Sequence, residues 1–138
     1  MQGLHLTADL RGCAAASAVM TLPAALRGAC LAAVADAGLT PVGELFHRFA
    51  PARADAAPSG ITGVVLLAES HLAVHTWPEL GAATLDVYVC NFGADNSARA
   101  EALLAALIGA FAPASVERQA LQRGAALASI ARAHAIGR

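Results

Sequence analysis

The sequence predicts an α+β fold, a two-layer sandwich in which helices pack on one face of a mostly antiparallel sheet. Six segments have the apolar pattern of strands, and four of them follow one another with no helix between them. Two further segments carry apolar residues at helical spacing, one after the first strand and one before the last. Hairpin-connected strands therefore outnumber strand–helix–strand crossovers, which favours an antiparallel sheet covered on one face.

The chain is expected to open with a strand and a helix. Residues 3–13 alternate, and one face of this strand is apolar through Leu4, Leu6, Ala8 and Leu10. Thr21 is the expected N-cap of the helix, and Pro23 suits its first turn. The helix is predicted to run to about Asp36, with Gly38 as its stop.

The middle of the chain is predicted to be β-rich. Strands are expected at residues 42–49, 61–68, 71–77 and 83–90. Between the first two of these strands, the Ala- and Pro-rich stretch 50–60 has the composition of a loop. Residues 78–81, Pro-Glu-Leu-Gly, are typical of a turn.

The C-terminal third is predicted to hold a second helix and a closing strand. Asp95 or Asn96 is the expected cap, and Pro113 ends the helix. Its apolar residues recur at helical spacing: Leu103, Leu104, Leu107, Ile108 and Phe111. Residues 116–121 are predicted to form the closing strand, and the last fifteen residues a short amphipathic helix or a frayed tail.

Length and composition limit the class of protein. A chain of 138 residues is predicted to form a single domain, large enough to bury a core. Its net charge of −1 gives no electrostatic basis for binding nucleic acid or an anionic membrane. No apolar run is long enough to span a bilayer, and the N-terminus lacks the pattern of a signal peptide. Three cysteines without a CxxC pair fit a reducing compartment, so we expect a soluble, cytoplasmic protein.

The segment 69–79 carries the chemistry. It reads Glu-Ser-His-Leu-Ala-Val-His-Thr-Trp-Pro-Glu, so Ser70 lies near His71 and His75. Histidine is the usual base that activates a serine hydroxyl at neutral pH. In a regular strand, however, Ser70 and His75 point to opposite faces, and they can meet only across a turn or bulge. A serine hydrolase is a weak interpretation, because the G-x-S-x-G sequence of a nucleophile elbow is absent.

Two other interpretations of these residues stay open at this point. A metal site could use His71 and His75 with His47 or Cys90. Histidines four residues apart on a strand are about 13 Å apart, so we do not expect a metal. The simplest alternative is a serine in a turn beside histidines on a strand face, without a chemical role.

A longer stretch of the sequence closely resembles a known family. Residues 60–79 are similar to the processing segment of the small prokaryotic S-adenosylmethionine decarboxylases, whose shared core reads G-V-V-x-x-x-E-S-H-x-x-x-H-T-W-P-E. The resemblance extends through the strand that ends at Cys90 and includes residues 5–13 and 46–49. It covers about residues 3–123, and residues 60–90 are its specific part.

The resemblance implies that the protein is a proenzyme that cleaves itself. In this family the serine hydroxyl, here that of Ser70, attacks the preceding carbonyl, here that of Glu69. β-Elimination then breaks the chain, and the residue left at position 70 becomes a pyruvoyl group. The products would be a β chain of residues 1–69 and an α chain of residues 70–138. By family correspondence His75 serves this processing step.

The resemblance also implies the reaction of the mature enzyme. The covalent pyruvoyl group made from Ser70 would form a Schiff base with S-adenosylmethionine and accept the electrons released with CO₂. Cys90 occupies the proton-donor position, and the decarboxylated product would serve spermidine synthesis. Phe49 matches a position that stacks on the adenine, while Trp77 and Glu79 are expected to line the site. The family further implies a homodimer of processed protomers, (αβ)₂.

Two departures from the family pattern leave the substrate open. Residues 52–59 form a Pro/Ala-rich insertion beside the expected adenine pocket, and Val89-Cys90-Asn91 replaces the family's Thr-Cys-Gly. Both changes flank substrate positions and spare the cleavage residues. A pyruvoyl-dependent decarboxylase of ornithine or arginine is therefore the first alternative. An unprocessed, non-catalytic homologue is the second.

Overall fold

A computed structural model of the protein describes residues 2–124. In chain order its elements are β1 Gly3–Arg11, α1 Ala18–Thr21, α2 Pro23–Asp36, β2 Pro41–Arg48, β3 Ile61–Leu67, β4 Ser70–Trp77, a 3₁₀ turn Pro78–Leu80, β5 Ala82–Cys90, α3 Ser97–Phe111 and β6 Ser115–Arg123. The predicted C-terminal helix or tail falls on residues 124–138, of which all but Gly124 lie outside the described residues. Among the described helices, none is long and apolar enough to cross a membrane.

The six strands form one sheet in the order β2-β3-β4-β5-β1-β6. Every neighbouring pair in this sheet is antiparallel. The helices pack on one face, α3 against β1 and β5, and α2 against β2 and β3. This architecture confirms the predicted α+β sandwich.

The core lies between the helices and the sheet. The predicted apolar face of β1 is buried there, as are the apolar residues of α3: Leu4, Leu6, Ala8, Leu10, Leu103, Leu104, Leu107 and Phe111. Apolar alternation marks these residues because successive side chains of a strand point to opposite faces of the sheet.

The start of the first long helix differs from the prediction. Thr21 is the last residue of the short helix α1, where its hydroxyl donates to the carbonyl of Ser17 at 3.2 Å. Leu22, not Thr21, occupies the N-cap of α2, and Pro23 is its first residue, as predicted. Proline has no backbone N–H, so the first turn of α2 has one unpaired donor fewer.

We call the sheet face opposite the helices the open face. In β4 it carries His71, Ala73, His75 and Trp77, which alternate with buried residues. Leu45 and Leu66 lie on the same face and are 69% and 49% exposed. The open face therefore presents large apolar side chains that no described part of the chain covers.

Candidate active site

Ser70 follows a tight turn with a strained residue. β3 and β4 pair as far as Leu67 and Ser70, which leaves Ala68 and Glu69 as the two turn residues. Glu69 has φ of 59°, the left-handed region, and Ala112 is the only other non-glycine residue of the described chain with positive φ. A side chain in this region costs about 1–2 kcal/mol. The peptide whose carbonyl would be attacked therefore lies next to a strained backbone.

The hydroxyl of Ser70 is held by the end of the neighbouring strand. The backbone N–H of Cys90 donates to Oγ of Ser70 at 3.1 Å. Cys90 is the last residue of β5 and its side chain is buried, with 7% exposure. Since the N–H uses one lone pair of the oxygen, the rotation of the hydroxyl is restricted, and its own O–H can still donate. The structure thus brings together two of the three predicted catalytic residues.

The loop after Cys90 fixes the strand end from the other side. The side-chain amide of Asn96 donates to the carbonyl of Cys90 at 2.9 Å, and the N–H of Asn96 donates to Oδ1 of Asn91 at 2.9 Å. The N–H of Asn91 donates to the carbonyl of Gln2 at 2.8 Å. Asn91, which departs from the family pattern, therefore belongs to the hydrogen-bond network that positions Cys90.

His75 lies away from this pair. The β4 pairing with β3 and β5 has no bulge between residues 70 and 77, so the turn that would bring His75 to Ser70 does not exist. Five residues of strand separate them by about 16 Å at 3.3 Å per residue. The two side chains also point to opposite faces. Within one protomer, His75 does not reach the Ser70 hydroxyl.

The predicted substrate-binding residues gather around His75 instead. A cavity of about 550 Å³ is lined by Phe49, His75, Trp77 and Glu79, together with much of the loop 51–59. Nδ1 of His75 is 3.2 Å from the Thr62 hydroxyl, a hydrogen-bond distance that orients the ring. An apolar and aromatic pocket with a few polar groups is typical of small-molecule sites. The 52–59 insertion forms one wall of it.

A glycine and a buried threonine hold that wall in place. A Cβ on Gly60 would lie 1.9 Å from the carbonyl oxygen of Thr76, so only glycine allows the loop to return this close to β4. The hydroxyl of Thr76 accepts from the N–H of Ile61 and donates to the carbonyl of Met20, both at 2.9 Å. The pocket is thereby attached to the core.

Comparison with known proteins gives the family. The sequence model of S-adenosylmethionine decarboxylase matches residues 4–124. The chain belongs to this family. A relative from Aquifex aeolicus, an S-adenosylmethionine decarboxylase proenzyme, is 38% identical over 124 residues, covering 88% of this chain and 81% of the relative. A proenzyme of the same name from Archaeoglobus fulgidus is 32% identical over 122 residues, covering 88% of this chain and 97% of the relative.

A solved structure agrees with this assignment. The crystal structure of the adenosylmethionine decarboxylase from Aquifex aeolicus matches with a TM-score of 0.75 and 35% identity, covering 88% of this chain and 90% of that chain. The comparisons confirm the family predicted from residues 60–90.

The open face of this S-adenosylmethionine decarboxylase homologue also carries a polar cluster that its sequence did not predict. Nε2 of His5 is 2.6 Å from Oδ1 of Asp86, and Nε2 of His71 is 3.4 Å from the same oxygen. The ring of Tyr88 lies 6.0 Å from that of His5. Only the pairing of β1 and β4 with β5 brings these residues together. In residues 2–124, no group of three or more metal-binding side chains has the geometry to hold an ion.

The two remaining cysteines are structural. Burial raises the pKa of the Cys30 thiol to about 12, and it also raises the pKa of Cys13. Both side chains are buried in the core of the S-adenosylmethionine decarboxylase fold. At neutral pH they remain protonated and unreactive. Cys90, which lies beside Ser70, is therefore the cysteine that can take a chemical role.

Proposed function

We propose that this protein cleaves its own chain between Glu69 and Ser70 and decarboxylates S-adenosylmethionine with the pyruvoyl group made from Ser70. The products are S-adenosylmethioninamine and CO₂, and the former supplies spermidine and polyamine synthesis. One observation carries the proposal: the Ser70 hydroxyl is anchored by the Cys90 amide next to the strained Glu69 residue. The names of the relatives support the substrate.

The processing step uses residues at the β3–β4 turn. Oγ of Ser70 attacks the carbonyl carbon of Glu69, and the peptide becomes an ester. The anchoring N–H of Cys90 limits the rotation of the hydroxyl, so less entropy is lost in reaching the attacking geometry. Relief of the left-handed backbone at Glu69 favours the step further. Elimination then gives a β chain 1–69 and an α chain 70–138.

In the mature enzyme, the pyruvoyl ketone supplies the electron sink that decarboxylation of an amino acid requires. The residues of the chain bind the substrate and handle one proton. Phe49 and Trp77 offer aromatic surface to the adenine, and Glu79 offers a carboxylate at the edge of the same cavity. Cys90 is next to residue 70 and gives its thiol proton to the substrate carbon after CO₂ has left.

The separation of Ser70 from His75 supports a site shared between two protomers. In such a dimer the open faces of the two protomers pack together. The two-fold axis lies between these faces and crosses the strands, so β4 of the partner runs in the opposite direction. The His75 end of one protomer then lies against the Ser70 end of the other, so the partner's His75 approaches residue 70 from its backbone side, because the Ser70 hydroxyl points to the helix side. Apolar side chains on the open face, such as Leu45 and Leu66, would be covered by the same contact. The assembly is then an (αβ)₂ homodimer with two equivalent sites.

Intact mass under denaturing conditions tests the self-cleavage. We expect wild-type protein to give two fragments, the second blocked at its N-terminus and reactive with a carbonyl reagent. Ser70→Ala should remain one chain near 13.9 kDa. A wild-type chain that stays whole would overturn the proposal and would favour the non-catalytic homologue.

Release of CO₂ tests the substrate. We expect turnover with S-adenosylmethionine and none with ornithine or arginine, and turnover of only the smaller amino acids would refute the proposed substrate. Cys90→Ala should still cleave itself but should release CO₂ at least about a hundredfold more slowly, because a proton donor contributes about 10²–10⁴-fold. With three free cysteines, we place the enzyme in the reducing cytoplasm.

A further inference from the structure

A second, smaller cavity lies on the helix side of the Ser70 turn. Its volume is about 170 Å³, and its lining includes Ala68, Ser70, Asn96 and Arg99. Ala68 and Ser70 flank Glu69, so the peptide that is cleaved runs along the wall of this cavity. Arg99, in the first turn of α3, brings a guanidinium into the same space.

Arg99 is exposed, makes one hydrogen bond and has no counter-ion among the described residues. Its Nη1 donates to Oδ1 of Asn96 at 3.2 Å, and Asn96 in turn holds the carbonyl of Cys90. Within residues 2–124, no carboxylate lies within salt-bridge distance of Arg99, whereas Arg27 and Arg118 each have one. The side chain crosses Gly38, where a Cβ would lie 3.6 Å from Nε. An exposed cation with no carboxylate partner among residues 2–124 therefore lines the cavity beside the Ser70 turn.

Self-cleavage creates an anion at this turn. After the ester has formed, a base removes the proton from Cα of Ser70, and that electron pair becomes the Cα–Cβ double bond. The bond between Cβ and Oγ breaks, and its electron pair leaves on the oxygen. That oxygen now belongs to the carboxylate at Glu69, the new C-terminus of the β chain. Negative charge therefore develops on the leaving group during elimination.

We propose that Arg99 binds this leaving carboxylate, stabilises the elimination step and afterwards holds the new C-terminus of the β chain. The inference rests on the proposed self-cleavage. A guanidinium offers two parallel N–H donors that match a carboxylate, so the contact strengthens as the charge forms. A donor that meets the developing charge lowers the barrier to elimination. The attack of Ser70 on the carbonyl precedes this step and does not need Arg99.

Hydroxylamine distinguishes the two steps, because it cuts an ester and leaves a peptide bond intact. We would follow freshly refolded wild type, Arg99→Ala, Arg99→Gln and Arg99→Lys by denaturing intact mass, with and without hydroxylamine. In Arg99→Ala and Arg99→Gln we expect uncut chain that hydroxylamine cleaves between residues 69 and 70. Final cleavage should be slower by roughly tenfold or more. This loss is smaller than the rate loss of about 10²–10³ that follows removal of a fully buried donor. Arg99→Lys should recover much of the rate.

A neighbouring variant provides the control. Asp95→Ala removes the bond from its carboxylate to the N–H of Ser97 at the start of the same helix, and it does not line the cavity. It should cleave at the wild-type rate with no ester accumulating. Wild-type cleavage in Arg99→Ala would overturn the inference, and so would slow cleavage without a hydroxylamine-sensitive chain. A wild-type protein that never cleaves would instead defeat the proposed function itself.

Discussion

At the scale of single residues, Glu69 combines a proposed chemical role with an unusual backbone. The residue that is proposed to supply the attacked carbonyl adopts a left-handed conformation, at φ of 59°. Hairpin turns of two residues favour positive φ, and glycine is the usual solution. Here a residue with a side chain takes the position, so the precursor keeps backbone strain at the bond that it is proposed to break.

This strain can be measured in the uncleavable Ser70→Ala precursor. Adding Glu69→Gly should make that protein more stable than adding Glu69→Ala by about 1 kcal/mol, because only glycine adopts positive φ without cost. Urea unfolding gives the difference. Ala68→Gly is the matched control, since Ala68 does not have positive φ, and it should destabilise. Equal stability of the two Glu69 variants would show that the turn is unstrained.

Single residues also mark the limit of what sequence can predict at the site. Glu69, Ser70, His75 and Cys90 follow from one contiguous resemblance. Arg99 does not, because its proposed role depends on α3 packing beside the β3–β4 turn, which no local pattern encodes. The distance between Ser70 and His75 likewise became clear only from the uninterrupted pairing of β4.

At the scale of elements, the strands matched their predicted positions to within about two residues. Alternating burial fixes a strand from its own sequence, and Gly or Pro marks its ends. Helix starts were predicted less evenly: Leu22 and not Thr21 is the N-cap of α2, whereas Asn96 is the N-cap of α3 as predicted, but without a side-chain cap bond. Asp95 accepts from the N–H of Ser97 instead. Several oxygens near a helix start compete for the same donors, and tertiary contacts decide between them.

The pocket loop depends on one close approach between elements. Gly60→Ala would place a methyl group against the carbonyl of Thr76, so we expect a loss of about 1–3 kcal/mol and a higher KM for S-adenosylmethionine. Thermal unfolding and initial rates measure both. Gly28→Ala in α2 is the control, because its Cβ would meet nothing within 4 Å and alanine favours a helix. An unchanged KM in Gly60→Ala would show that the loop does not contribute to substrate binding.

At the scale of the whole molecule, the predicted layers are correct, but the sequence does not reveal the strand order. β1 lies between β5 and β6, which are distant in the chain. Such pairings depend on how the complete sheet packs against the helices. The sequence of a single strand does not identify the strand that pairs with it. The sequence predicts helices on only one face of the sheet, so it indicates that the other face needs a partner but not how that partner binds.

Complementation tests the shared site. Ser70→Ala and His75→Ala should each remain whole when expressed alone. In a mixed dimer purified with two different tags, the His75→Ala chain should be cut, because its Ser70 meets the intact His75 of the partner. Intact mass identifies which chain is cut. Replacing the first variant by the Ser70→Ala/His75→Ala double variant should abolish cleavage, and an uncut mixed dimer would place the site within one protomer.

The strand order has a consequence for how the protein can be assembled. Cleavage at residue 69 would leave β1, β2 and β3 on one fragment and β4, β5 and β6 on the other. The fragments then share three strand pairings, β3 with β4, β1 with β5, and β1 with β6, so they stay interlocked in one sheet. Unfolding after the cut yields two separate polypeptides. Refolding then requires their association, so its rate falls on dilution. Only the uncut precursor can fold by a unimolecular route, so folding has to precede maturation.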